Sequence, residues 1–103
     1  MSNTTLDLTD DDTRDLQTIV MFALRYAQGR KTYAFSLVSA WLISHSDIFQ
    51  QWQLRQMAEE IERDIPMWKL SGWEEANYLQ VAKKLKRLAE ETGKRESVRV
   101  KHE

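Results

Sequence analysis

Proline occurs once in this chain, at position 66, and glycine three times, at 29, 72 and 93. So few chain breakers among 103 residues argue against a turn-rich β fold and for long helices. The apolar residues agree. Leu16, Ile19, Val20, Ala23, Leu24 and Ala27 recur at intervals of three and four, the spacing of one helix face. The same spacing returns in Leu54, Met57, Ala58, Ile61 and Ile65, and again in Tyr78, Val81, Ala82, Leu85, Leu88 and Ala89. Between them, Ala34, Leu37, Val38, Ala40, Trp41, Leu42 and Ile43 leave almost no polar face, which predicts a helix in the middle of the fold. The expected fold is all-α, a compact bundle of about four helices with a central apolar second helix.

Local signals set the boundaries. Thr9 and Asp12 have capping-box spacing, and Asp10, Asp11 and Asp12 put negative charge on the positive end of the helix dipole. Gly29 supplies the left-handed residue that ends the first helix. The second helix is expected from about Tyr33 to Ser44 with Thr32 as its cap, followed by a connection that tucks Ile48 and Phe49 inward. The third runs from about Gln51 to Asp64 and is stopped by Pro66. Ser71 and Glu74 form a second capping box, opening a fourth helix to about Thr92 with Gly93 as its stop. One helical domain is therefore expected over residues 1–93, followed by a charged, flexible tail over 94–103. A short strand at "SVRVK", pairing only on a partner, is the alternative for that tail.

Composition removes several kinds of chemistry. At 103 residues, 42% of them hydrophobic, the chain can bury about two thirds of its unfolded surface around one core. The net charge of −1 provides no overall field toward nucleic acid or an anionic membrane. Without cysteine there is no disulfide frame, thiolate nucleophile or cysteine zinc site. The start, "MSNTTLDLTDDD", lacks the basic and apolar regions of a signal peptide. The 11-residue run "AFSLVSAWLIS" is short of the roughly 20 residues a membrane span needs. A cytoplasmic protein is expected.

Catalysis has little to stand on. His45 falls at the end of the second helix, where it suits the dipole as a C-cap, and His102 lies in the tail. Glu59, Glu60, Glu62 and Asp64 belong to the solvent face of an amphipathic helix, where carboxylates keep ordinary acidity. There is no phosphate loop, nucleophile elbow or metal-spaced histidine pair, and the triple aspartate lacks the spacing of a calcium loop. No enzyme activity, cofactor or metal is expected. A helix-turn-helix reading fails on its recognition helix, which would offer base edges only Ser36, Ser39 and Ser44 among apolar groups.

Two features remain for binding. Lys83, Lys84, Lys86, Arg87, Lys94, Arg95, Arg99 and Lys101, set against Glu90, Glu91 and Glu96, give the C-terminal region +5, opposite −4 in the first fifteen residues. A solvated helix face with Lys86–Glu90 and Arg87–Glu91 pairs explains this. The rival reading is nonspecific nucleic-acid contact through Lys83, Lys84, Arg87, Arg95 and Arg99. The stronger hint is aromatic: of four tryptophans, Trp68 and Trp73 flank a loop beside Met67 and Leu70, and tryptophan is enriched at interaction hot spots. Trp41 is expected in the core, and Trp52 could face either way.

The segment "RYAQGRKTYAF", residues 25 to 35, concentrates arginine and tyrosine around Gly29. Tyr26 and Tyr33 are expected to brace the turn. Arg25 or Arg30 is expected to form a bidentate clamp on Asp64, which leaves Lys31 free for a partner. Arg25-Tyr26-Ala27, Gly29-Arg30 and Thr32-Tyr33 together resemble the R-Y-A-x-G-R-x-T-Y pattern of small uncharacterised helical proteins of bacteriophages, prophages and plasmids. In those proteins the pattern is followed by an apolar helix, a helix ending in Asp-Ile (here Asp64-Ile65) and a tryptophan-containing final helix (here Trp73 or Trp68). The resemblance covers roughly residues 16 to 90 and brings no established activity. It implies a mobile-element accessory protein, a class that often works by binding a host protein; inhibitors of bacterial immunity such as anti-CRISPR proteins share this size and simplicity.

The leading expectation is therefore a non-enzymatic accessory protein acting by protein–protein contact through Trp68, Lys69, Trp73, Lys83, Arg87 and Lys31. The alternative is a nucleic-acid-binding regulator using the basic C-terminal region. A third reading, a component of a phage particle or replication complex, predicts self-association.

Overall fold

Thr9 opens the first helix as its spacing requires. Its Oγ1 accepts a hydrogen bond from the Asp12 N–H at 3.1 Å, and the Asp12 carboxylate accepts one from the Thr9 N–H at 3.1 Å, closing the capping box. From there α1 spans Asp10–Ala27, α2 Thr32–Ser44, α3 Gln51–Asp64 and α4 Gly72–Lys101. Short 3-10 turns at Ser46–Ile48 and Ile65–Met67 lie in the connections before and after α3. The computed structural model describes residues 8–68 and 70–101, with side chains through Lys94. It is all-α, with the four helices expected. Among the described residues no helix is long and apolar enough to cross a membrane.

The most extensive packing joins α3 to α4. Leu54, Met57, Ala58 and Ile61 of α3, with Tyr78, Ala82, Leu85 and Ala89 of α4, are shielded from solvent. Alanine at 58, 82 and 89 lets these helices come close. Lys86 Nζ reaches Glu62 Oε1 at 2.8 Å across the same pair, in place of the expected Lys86–Glu90 contact. A chain of amides, buried at Gln53 and Gln17 and opening to the surface at Gln56, fixes α1 against α3: Gln53 Nε2 donates to Gln17 Oε1 at 3.2 Å, and Gln17 Nε2 donates to Gln56 Oε1 at 3.1 Å. Buried amides that satisfy one another specify register more sharply than apolar contact does.

On α2, Phe35, Ser39 and Leu42 are buried, with the Phe35 ring 4.3 Å from that of Tyr78. The outer side differs from the enclosed helix that its composition suggests. Tyr33, Leu37 and Trp41 are all exposed. A bundle this small has too few elements to surround any helix, so an all-apolar sequence ends with one covered face and one open face. Trp41, expected in the core, instead stacks on His45 at a ring separation of 4.6 Å. His45 does serve as the expected cap, its Nδ1 lying 2.9 Å from the Trp41 carbonyl in the last turn. Phe49 tucks inward as expected.

The expected stop at Gly93 is also corrected. The helix runs through it to Lys101, and Gly29 is the one described glycine with positive φ. Gly93 is a point of close approach: a Cβ there would lie 2.7 Å from the side-chain amide of Gln51, at the start of α3. The thirty residues of α4, at about 1.5 Å each, account for the 49 Å long axis of the molecule.

Candidate protein-binding surface

The turn between α1 and α2 is built around Gly29, whose φ of 78° only glycine adopts without strain. Its bare α-carbon is also needed for space, since a Cβ would lie 2.5 Å from the Trp68 ring. Trp68 thus closes over the turn. The sequence offers Trp68 to a partner; the structure spends much of the ring on Gly29 and leaves it half-buried. Arg30 completes the stack, its guanidinium 5.4 Å from the centre of the Trp68 ring and 5.6 Å from that of Tyr26, within cation–π range.

Three further bonds tie this turn to the rest of the fold. The Gly29 N–H donates to the hydroxyl of Tyr78, on α4, at 2.9 Å. Gln28 Nε2 donates to the Ile61 carbonyl at 3.0 Å. At the end of α3 the Ile65 N–H turns to Glu62 instead, so the Gln28 amide supplies a donor to a last-turn carbonyl. Arg25 Nε then stands 3.6 Å from Asp64 Oδ2. The expected clamp therefore forms through Arg25, but as one long ion pair and not a bidentate fork. Arg30 takes no part in it; its guanidinium lies against the two rings instead.

The expectation that Thr32 caps α2 is corrected. Thr32 is the first residue of the helix, and the cap residue, Lys31, makes no side-chain capping bond. The Thr32 hydroxyl donates to Glu74 Oε2 at 2.8 Å. Glu74 meanwhile accepts through Oε1 from the Ser71 N–H at 3.1 Å and from Ser71 Oγ at 3.0 Å, so the second capping box forms as read. These bonds, the Ser71 backbone N–H first and then the Thr32 and Ser71 hydroxyls, hold the Glu74 carboxyl below the ordinary glutamate range by stabilising its charged form.

The Thr32–Glu74 bond joins the first turns of α2 and α4, and large aromatic side chains stand exposed beside both of its ends. Tyr33 is 78% exposed and Trp73 64%, and Lys31 is exposed next to them. The structure thus brings Lys31 and Trp73 to one end of the molecule and adds Tyr33, which the sequence reading assigns to bracing the turn. The signal is present in the spacing: Tyr33 lies two positions before the buried Phe35, on the opposite side of the helix. Tyr26, the other expected brace, is 59% exposed and lies under the Arg30 guanidinium. Lys83 and Arg87 are exposed farther along α4. Lys69, and the side chains of Arg95 and Arg99, lie outside the described residues.

Beyond Trp68, a groove of about 400 Å³ is bordered by Phe22, Tyr26, Arg30 and Met67. A second, of about 370 Å³, continues between α1 and α3 past Phe22 and Trp52. Among the described residues no group of three or more metal-ligating side chains is gathered. In comparisons with known proteins the chain matches no family model, no curated protein and no solved structure.

Proposed function

We propose that this chain is a non-enzymatic, helical protein-binding module that docks through the edge where α2 and α4 begin. The observation that supports this most is the pair of exposed aromatic rings, Tyr33 and Trp73, on helix turns joined by the Thr32–Glu74 bond. Tyrosine and tryptophan, with few rotatable bonds, lose little side-chain entropy on contact and often dominate interface energies. Lys31 adds a cation at the rim. The motif around Gly29 resembles that of phage, prophage and plasmid proteins, so the reading extends to a mobile-element accessory protein acting on a host protein in the bacterial cytoplasm. Inhibition of a defence system such as CRISPR belongs to that class.

The test is affinity capture from host lysate with the wild-type chain beside a Tyr33→Ser/Trp73→Ser variant. A stoichiometric protein retained by the first and lost from the second is expected. Equal capture by both, or by neither, would remove the proposal.

A second reading draws on Lys83, Arg87 and Lys94, all exposed and spaced to share one side of α4. This stripe could hold phosphates, although Glu90 falls within it. Nucleic-acid binding through it predicts a mobility shift at low salt that disappears steeply as salt rises.

A further inference from the structure

The outward side of α1 carries a feature that the docking edge does not use. Ile19, Phe22 and Tyr26 are 63%, 67% and 59% exposed, and their spacing of three and four aligns them in one stripe. Ile19 belongs to the apolar series read as a core face, yet it points away from the bundle. The true inner face is Thr13, Gln17, Val20, Leu24 and Ala27. Asp15 continues the exposed stripe toward the N-terminus. At its other end stands Arg30, which borders the same groove as Phe22 and Tyr26. Asp15 and Arg30 are exposed, and among the described residues neither forms an ion pair.

We infer that this stripe is the interface of a homodimer in which two α1 helices lie antiparallel. The argument is charge order. Read along α1, the stripe is acidic, apolar, aromatic and then basic, so it is complementary to its own reverse. Turning a second copy end for end sets Asp15 opposite the partner's Arg30, sets Ile19 opposite the partner's Tyr26, and brings the two Phe22 rings together at the centre. Each contact then occurs twice, as a two-fold interface requires. A parallel arrangement would set carboxylate against carboxylate and guanidinium against guanidinium, so charge alone selects the direction. Met67, 69% exposed at the rim of the groove, extends the apolar contact with a side chain that adapts readily to its neighbours. The Tyr33–Trp73 edge lies on other helices, so this dimer and the proposed docking stand or fall separately.

Sedimentation equilibrium of the full chain tests the inference. The wild type should weigh twice its 12.2 kDa at about 100 µM. Phe22→Glu should be monomeric with unchanged helical circular dichroism. Asp15→Arg and Arg30→Asp should each self-associate at least about tenfold more weakly, because like charges then face each other. An equal mixture of these two variants should recover association, since the guanidinium introduced in one chain meets the carboxylate introduced in the other. A monomeric wild type would overturn the inference, as would a dimer indifferent to Phe22→Glu or a mixture no tighter than its components. Phe22 and Asp15 lie on the open stripe, so their variants decide the matter even if Arg30→Asp disturbs the stack on Trp68.

Discussion

Gly29 shows how much one residue can carry. Its positive φ, its N–H to Tyr78 and its bare α-carbon under Trp68 are separate demands, and glycine alone meets them together. Gly29→Ala should therefore cost about 2–4 kcal/mol, combining left-handed strain with overpacking, and thermal unfolding by circular dichroism will read the loss. Glu74 is the residue through which acidity acts. Its carboxyl is held below the ordinary glutamate range in the fold, so the unfolded chain takes up that proton first as pH falls. The contribution of Glu74 is thus full at neutral pH and is lost as pH drops from the ordinary glutamate range through the lower folded value. In Glu74→Gln, the stability gap to wild type should be widest near neutrality and should close with acid. A gap that is constant from neutral to acid pH in urea titrations would exclude this role.

At the level of helices, the periodic pattern locates α1, α3 and the start of α4 closely, because amphipathic spacing and capping residues act over a few positions. It misjudges two features that depend on neighbours far along the chain. The apolar residues of α2 suggest burial on every side, but burial depends on how many helices surround it, and Tyr33, Leu37 and Trp41 remain exposed. Gly93 looks like a stop because glycine so often ends helices, yet in α4 it serves the approach of Gln51. Gly93→Ala separates these roles. Within a continuing helix alanine should be neutral or stabilising by up to about 1 kcal/mol, since only the flexible end of Gln51 has to move. At a left-handed stop it would destabilise. Chemical denaturation of the two proteins distinguishes these outcomes.

For the whole molecule, the corner sequence Arg25 to Phe35 is legible as something special, though its division of labour is not. Arginine pairing with Asp64 can be anticipated from charge, and Arg25 does sit beside it. That Trp68 closes over Gly29 cannot, because a ring lying on a distant turn leaves no local spacing to read. Nor does sequence reveal that Tyr33 and Trp73 flank one hydrogen bond between residues 42 positions apart along the chain. The resulting picture separates two nearby tryptophans: Trp68 fastens the fold, and Trp73 stands exposed. Thermal unfolding of Trp68→Ala beside Trp73→Ala tests that division most directly. Trp68→Ala should lose on the order of 3 kcal/mol, about 10 °C or more in a chain of this length, while Trp73→Ala should melt within about a degree or two of wild type. Equal losses in both variants, or a larger loss from Trp73→Ala, would contradict it.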